Sequence, residues 1–202
     1  MDDEHAGAEQ PRGARDLLGL PVYTIAEGRH LGQIDALLVR REDRVVAQVR
    51  LRHGLLGRHR LLPFAALRTV GENIALVDSA AAADSAAAAD SAGLDTDLVG
   101  RPVLTPGGER VGELADFGVD TASGRITVFR IRPDAGFLGH LAALVRSEVV
   151  LLPEGVIHGL GASAVILRDE GVALLRHPPP GSGPAAEQEQ PLTQGPPPAA
   201  AP

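Results

Sequence analysis

The chain repeats itself, and this constrains its fold more than any other feature. LLGLPVYT (Leu17 to Thr24) and LVGRPVLT (Leu98 to Thr105) share five of eight residues at an offset of 81. Gly32 falls on Gly112, and VRLR (Val49 to Arg52) on FRIR (Phe129 to Arg132), at an offset of 80. GLLG (Gly54 to Gly57) matches GFLG (Gly136 to Gly139), and LLPFAALRTVG (Leu61 to Gly71) lies on LLPEGVIHGLG (Leu151 to Gly161). Four blocks in one order mark a tandem duplication, so both copies must satisfy the same fold. Each copy is short for a self-sufficient core, and mutual packing would help both.

The repeat divides the chain into a leader (1–16), a first copy (17–78), a linker (79–97), a second copy (98–175) and a tail (176–202). The linker, SAAAADSAAAADSAGLDTD, is rich in helix-favouring alanine but has no large apolar side chain to hold a helix on a core. It reads as a semi-flexible connection with a marginal helix at most. The leader is acidic and polar, and the tail HPPPGSGPAAEQEQPLTQGPPPAAAP is too polar and proline-rich to bury. Both are expected to be disordered.

Within each copy the pattern is that of strands. From Val45 to Arg52, Val45, Ala47, Val49 and Leu51 alternate with Val46, Gln48, Arg50 and Arg52. In the second copy Thr127, Phe129 and Ile131 are expected inward, with Arg130 and Arg132 outward. Leu31–Val39, Val111–Val119, Ile74–Val77 and Val165–Leu167 are further strand candidates, punctuated by glycines at turns. Several short strands without a long amphipathic helix predict an all-β fold of two small closed barrels in tandem.

The same residues resemble the PRC-barrel family. The features that carry this are G-x-P-V (Gly19, Pro21, Val22; Gly100, Pro102, Val103), then L/V-G-x-I/L (Leu31, Gly32, Ile34; Val111, Gly112, Leu114). LLP follows (Leu61 to Pro63; Leu151 to Pro153), and then a glycine before the last apolar strand (Gly71; Gly161). The resemblance covers about 135 of the 202 residues. It implies a six-stranded barrel in each copy, serving mostly as a binding or adaptor module, as in the photosynthetic reaction-centre H subunit and the ribosome maturation factor RimM. The chain lacks an apolar run that resembles the H subunit's membrane anchor. It also carries two similar barrels, whereas RimM pairs one barrel with a different domain.

Several chemistries are closed by composition. All 19 basic residues are arginine and there is no cysteine. A phosphate loop therefore lacks its lysine, Schiff-base chemistry lacks an amine, and thiol catalysis, disulfides and thiolate metal sites are excluded. Gly159 to Ala164 fits G-x-G-x-x-A, but an aliphatic strand follows where a dinucleotide site needs a helix. The histidines show no metal-ligand spacing, and no serine sits in a nucleophile elbow. No catalytic residue, cofactor or metal is expected. The arginine-only, alanine-rich alphabet is what a GC-rich bacterial genome encodes.

The net charge of −7 is unevenly spread. In the first copy nine arginines against six acids give +3, and in the second seven against nine give −2. The positive charge is densest at Arg50, Arg52, His53, Arg58, His59 and Arg60, read as a solvated strand face or as a surface for an acidic partner or phosphate. A second candidate surface is an insertion of eight residues within His140 to Val150. There Phe137, Leu141, Leu144 and Val145 share one helical face, which would dock a partner or cap its own barrel. Asp116 and Asp120 preserve the family's D-x-x-x-D in the second copy, where the first has Ala36 and Arg40. They are expected to be structural acids, one paired with an arginine and one capping a turn.

The function expected is a non-enzymatic, cytoplasmic adaptor or assembly module that binds another protein, with self-association open and no membrane span. The alternative is an RNA- or ribosome-associated accessory factor using the basic cluster. A reaction-centre-like subunit stands third.

Overall fold

The computed structural model describes residues 11–54, 58–86, 93–96, 98–138 and 149–177. The first copy forms β2 (Pro21–Thr24), β3 (His30–Arg40), β4 (Val45–His53), β5 (Arg58–Pro63), β6 (Thr69–Val70) and β7 (Ala75–Val77). These are hydrogen-bonded in the order β5-β4-β3-β2-β7-β6. The second copy forms β8 (Pro102–Leu104), β9 (Arg110–Val119), β10 (Ile126–Pro133), β11 (Val150–Pro153), β12 (Ile157–Leu160) and β13 (Val165–Leu167), ordered β11-β10-β9-β8-β13-β12. The two orders are the same once the repeat is applied. In both, the first and last strands of the motif run parallel (β2 with β7, β8 with β13) while the other neighbours are antiparallel. That pair joins the first strand of each motif to the last, and each sheet curls around its own apolar residues.

Glycine makes the curl. At Gly32 (φ +141°) a Cβ would stand 2.7 Å from the Arg52 carbonyl oxygen, and at Gly112 one would stand 2.3 Å from that of Arg132. Only glycine lets the long second strand of each copy (β3, β9) approach the next (β4, β10) so closely. Both sit at ladder irregularities, between Val22 and Tyr23 in one copy and between Val103 and Leu104 in the other.

The strand alternation holds only in part. Val49 and Leu51 are sealed as expected, but so are Val46 and Gln48 on the opposite parity. In β10, Ile126 is sealed and Thr127 is only half-buried, because the register shifts between Ile126 and Val128. In β4 there is a second covered face: Val46, at the start of the strand, meets the β9–β10 turn of the other barrel.

That meeting is reciprocal. The Val46 N–H donates to the Gly124 carbonyl at 2.8 Å, and the Ile126 N–H to the Arg44 carbonyl at 2.8 Å. Positions 44 and 124, and 46 and 126, correspond in the repeat, so the contact is a pseudo-twofold. Each copy's lead-in also pairs with the other copy's second strand. β1 (Arg12–Gly13) adds to β9 against Val119 and Gly118, and Asp95 exchanges two bonds with Val39, at 2.8 and 3.0 Å. One hydrophobic core runs through both barrels.

Three segments differ from their sequence reading. Residues 12–16, assigned to a disordered leader, form β1 and the short α1 (Ala14–Leu17), whose Ala14 and Leu17 are buried. The linker carries α2 (Ala80–Ala86), anchored by a small side chain rather than a large one: Ala83 is 0% exposed. The second copy ends in α4 (Asp169–Arg176), which seats Leu175 in the core. Residues 1–10 and 178–202 lie outside the described residues. No described helix is long and apolar enough to cross a membrane.

Candidate functional site

The basic cluster lies where β4 ends and β5 begins. Antiparallel register sets Leu51 opposite Arg60, Arg52 opposite His59 and His53 opposite Arg58. A run scattered over eleven residues is thus folded onto one corner of barrel 1. Much of its charge is already matched. Arg50 Nε donates to Asp35 Oδ1 at 2.8 Å, His59 Nδ1 lies 3.4 Å from Asp35 Oδ2, and Arg60 pairs with Asp84 of α2 at 2.9 Å. Arg52 and His53 are exposed at the corner. Arg58 belongs to β5, opposite His53.

The strand geometry brings in residues that the charge run did not contain. His30, at the start of β3, sits with its ring 4.9 Å from Tyr23 and 5.8 Å from His53. With Arg29, Leu31, His53, His59, Arg60 and Leu61 it lines a cleft of about 630 Å³. Arg29 and His30 stand more than twenty residues before the cluster, and no local spacing announces them. Only the β2–β3–β4 register, kinked at Gly32, places them there.

The acids of the second copy occupy different environments. Asp116 accepts from Arg130 Nη1 at 2.9 Å and from the Arg15 backbone N–H at 3.3 Å, tying barrel 2 to α1. Asp120 folds over its own turn and accepts from the Ser123 N–H at 2.7 Å, the Ser123 hydroxyl at 2.8 Å and the Ala122 N–H at 3.0 Å. These bonds, the Ser123 backbone bond foremost, hold its carboxyl below the usual carboxylate range. The two carboxylates thus serve separate contacts. Among the described residues no group of three histidine or acidic side chains is arranged to hold a metal.

Of the insertion, Phe137 lies in α3 (Ala135–Leu138), half-buried against the core, with the Arg176 guanidinium 5.1 Å over its ring. Leu141, Leu144 and Val145 fall outside the described residues.

Two curled six-stranded sheets of one topology, each with a parallel pair joining its first and last strands, define a tandem small-barrel protein. The PRC-barrel domain model matches residues 12–83 and again residues 93–164, and the chain belongs to the PRC-barrel family. Both matches begin at the lead-in segments that cross between the barrels. The family is generally non-catalytic. No curated protein matches the chain.

Proposed function

We propose that the protein is a non-catalytic, cytoplasmic adaptor or assembly module that holds another protein on the surface of its fused barrels. The observation that carries this reading is the asymmetry of two otherwise equivalent copies. Both are built to one topology, are locked together and carry a matching arginine pair (Arg50 and Arg52; Arg130 and Arg132), yet only the first adds His53, His59 and Arg60 to make a basic corner. In the second copy the positions matching Arg60 and His53 are Val150 and Pro133. A duplicated fold that keeps its core and diverges at one corner has specialised that corner for recognition. An acidic protein surface suits it, since exposed arginines on a rigid sheet steer and orient such a partner.

An RNA-binding reading uses the same corner, but Arg50 and Arg60 are already paired with Asp35 and Asp84, which leaves few unpaired cations to track an extended phosphate backbone. Affinity capture from the native host with the full chain as bait, beside an Arg50→Glu/Arg52→Glu variant, tests the proposal. The expected result is one or a few acidic proteins, resistant to nuclease treatment and lost with the variant. Capture unchanged by the variant, or abolished by nuclease, overturns it.

A further inference from the structure

We propose that the cleft between Arg29, His30, His53, His59 and Arg60 is a binding site for a small polyanion carrying phosphate-type oxyanions. The proposal goes beyond the partner-binding reading and holds whether or not a protein docks on barrel 1.

The chemistry of the lining comes first. Two guanidinium groups and three imidazoles converge on one concavity, with Leu31 and Leu61 as its apolar wall. Guanidinium offers N–H donors in a planar fork that fits tetrahedral oxyanions, and each imidazole has an N–H to contribute. The Arg29 side chain forms no ion pair among the described residues; its backbone N–H donates to Thr24 Oγ1 at 2.9 Å and its carbonyl accepts from the Thr24 N–H at 2.9 Å. The His30 ring lies between Tyr23 and His53, tilted 44° to one and 43° to the other, so aromatic contacts position it.

Size decides between a single ion and something larger. A volume of about 630 Å³ exceeds by far the ~30 Å³ share of one water. It falls in the range of roughly 300–1,000 Å³ that holds small organic ligands. A ligand with several charged groups would span from Arg29 to Arg60.

The duplication supplies an internal control. The residues of barrel 2 that correspond to Arg29, His30, His53, His59 and Arg60 are Glu109, Arg110, Pro133, Val149 and Val150. Barrel 2 reaches the same topology with no histidine and one arginine at these places, and that Arg110 is paired with Asp134 at 2.9 Å. The fold therefore does not require the cationic lining of barrel 1.

Two acids face the lining: Asp35, 3.4 Å from His59 Nδ1, and the more exposed Asp84, which competes for Arg60. Asp84 on α2 pairs with Arg60 while remaining 61% exposed. An ion pair that open to water is weak and easily displaced. A bound polyanion takes Arg60 over from Asp84, so removing Asp84 strengthens binding.

Titration of the full chain with inorganic triphosphate, followed through the ring resonances of His30, His53 and His59, tests this. Saturable shifts of all three are expected, with inorganic pyrophosphate binding more weakly. Arg29→Ser and Arg60→Ser should each weaken binding about tenfold, the loss of one charge-assisted contact. Asp84→Asn should tighten it about two- to fivefold. Asp43→Asn makes the same change of net charge in the β3–β4 turn, on the far side of β3, and should leave affinity unchanged. Three results would each overturn the proposal: no saturable shift of the histidines, equal tightening by Asp84→Asn and Asp43→Asn, or tighter binding of a tetraglutamate peptide than of triphosphate. The first leaves the protein-partner reading standing, and loss of the captured partner leaves the anion site standing.

Discussion

Arg44 has a backbone angle that arginine rarely takes, φ 55°, the one positive value among the described non-glycine residues. Its counterpart in the repeat is Gly124, at φ 74°. Glycine takes this conformation freely and arginine does not. The arginine is kept because its guanidinium reaches barrel 2, donating to the carbonyls of Glu154 at 3.0 Å and Ile157 at 2.7 Å. Strain of about 1 kcal/mol is set against charge-assisted bonds of roughly 1.5–3 kcal/mol. Urea unfolding should therefore rank wild type above Arg44→Gly, and Arg44→Gly above Arg44→Ala, which keeps the strain and loses the bonds. An Arg44→Gly variant more stable than wild type would refute this balance. Asp120 makes a second residue-scale prediction. Its carboxyl is held below the ordinary value of 3.8 by bonds to its charged form, so the stabilisation is fully present above that pH. As pH falls below it and through the depressed folded value, the stabilisation is lost. The gap in stability between wild type and Asp120→Asn should be constant from pH 7 to 5 and shrink below pH 4. A gap that grows on acidification contradicts the assignment.

At the scale of elements, the second and third strands of each copy are shaped by one close approach. Gly112→Ala would drive a Cβ into the Arg132 carbonyl, and Gly32→Ala into that of Arg52 with an unfavourable φ as well. Each should cost about 2–3 kcal/mol in urea unfolding, as overpacking against backbone does. Gly136→Ala meets nothing within 4 Å and sits in a helix, so it should be neutral or slightly stabilising. Equal effects at Gly112 and Gly136 would show that the approach does not matter. The strands themselves were legible because their signal is local: alternating valine and leucine between glycines, seen twice. The anchoring of α2 was not legible. Ala83 looks like every other alanine in SAAAADSAAAADS, and only proximity to β5 and β7 selects it for burial. The candidate cleft divides the same way. Its β4–β5 half stands out as a charge run, while Arg29 and His30 arrive through sheet register across more than twenty residues.

For the whole molecule, the duplication is built as a pseudo-twofold pair inside one chain. The lead-in of each copy serves the other. Arg12, on the strand added to barrel 2, donates back to the carbonyls of Gly71 and Glu72 in barrel 1, at 3.0 and 3.2 Å. Asp95, bonded to Val39 of barrel 1, pairs with Arg41 at 3.0 Å and Arg101 at 3.2 Å. The sequence shows two copies but carries no periodic signal for this exchange, because residues 12–13 and 95 are polar or small and their partners are a hundred or fifty residues away. Together with the continuous core, the exchange makes the barrels one cooperative unit and gives the basic corner a rigid base. A fragment ending at residue 86 would lack the Asp95 strand and the cover over Val39 and Val46, and should not hold a folded barrel at 25 °C.

The chain has one tyrosine, Tyr23, and no tryptophan, so its intrinsic emission reports barrel 1, while the aromatic resonances of Phe129 report the core of barrel 2. Equilibrium urea unfolding followed by both probes is the most direct test of the fused-barrel account. A single transition with coincident midpoints and slopes is the result it predicts. Two separated transitions, one for each probe, would contradict it.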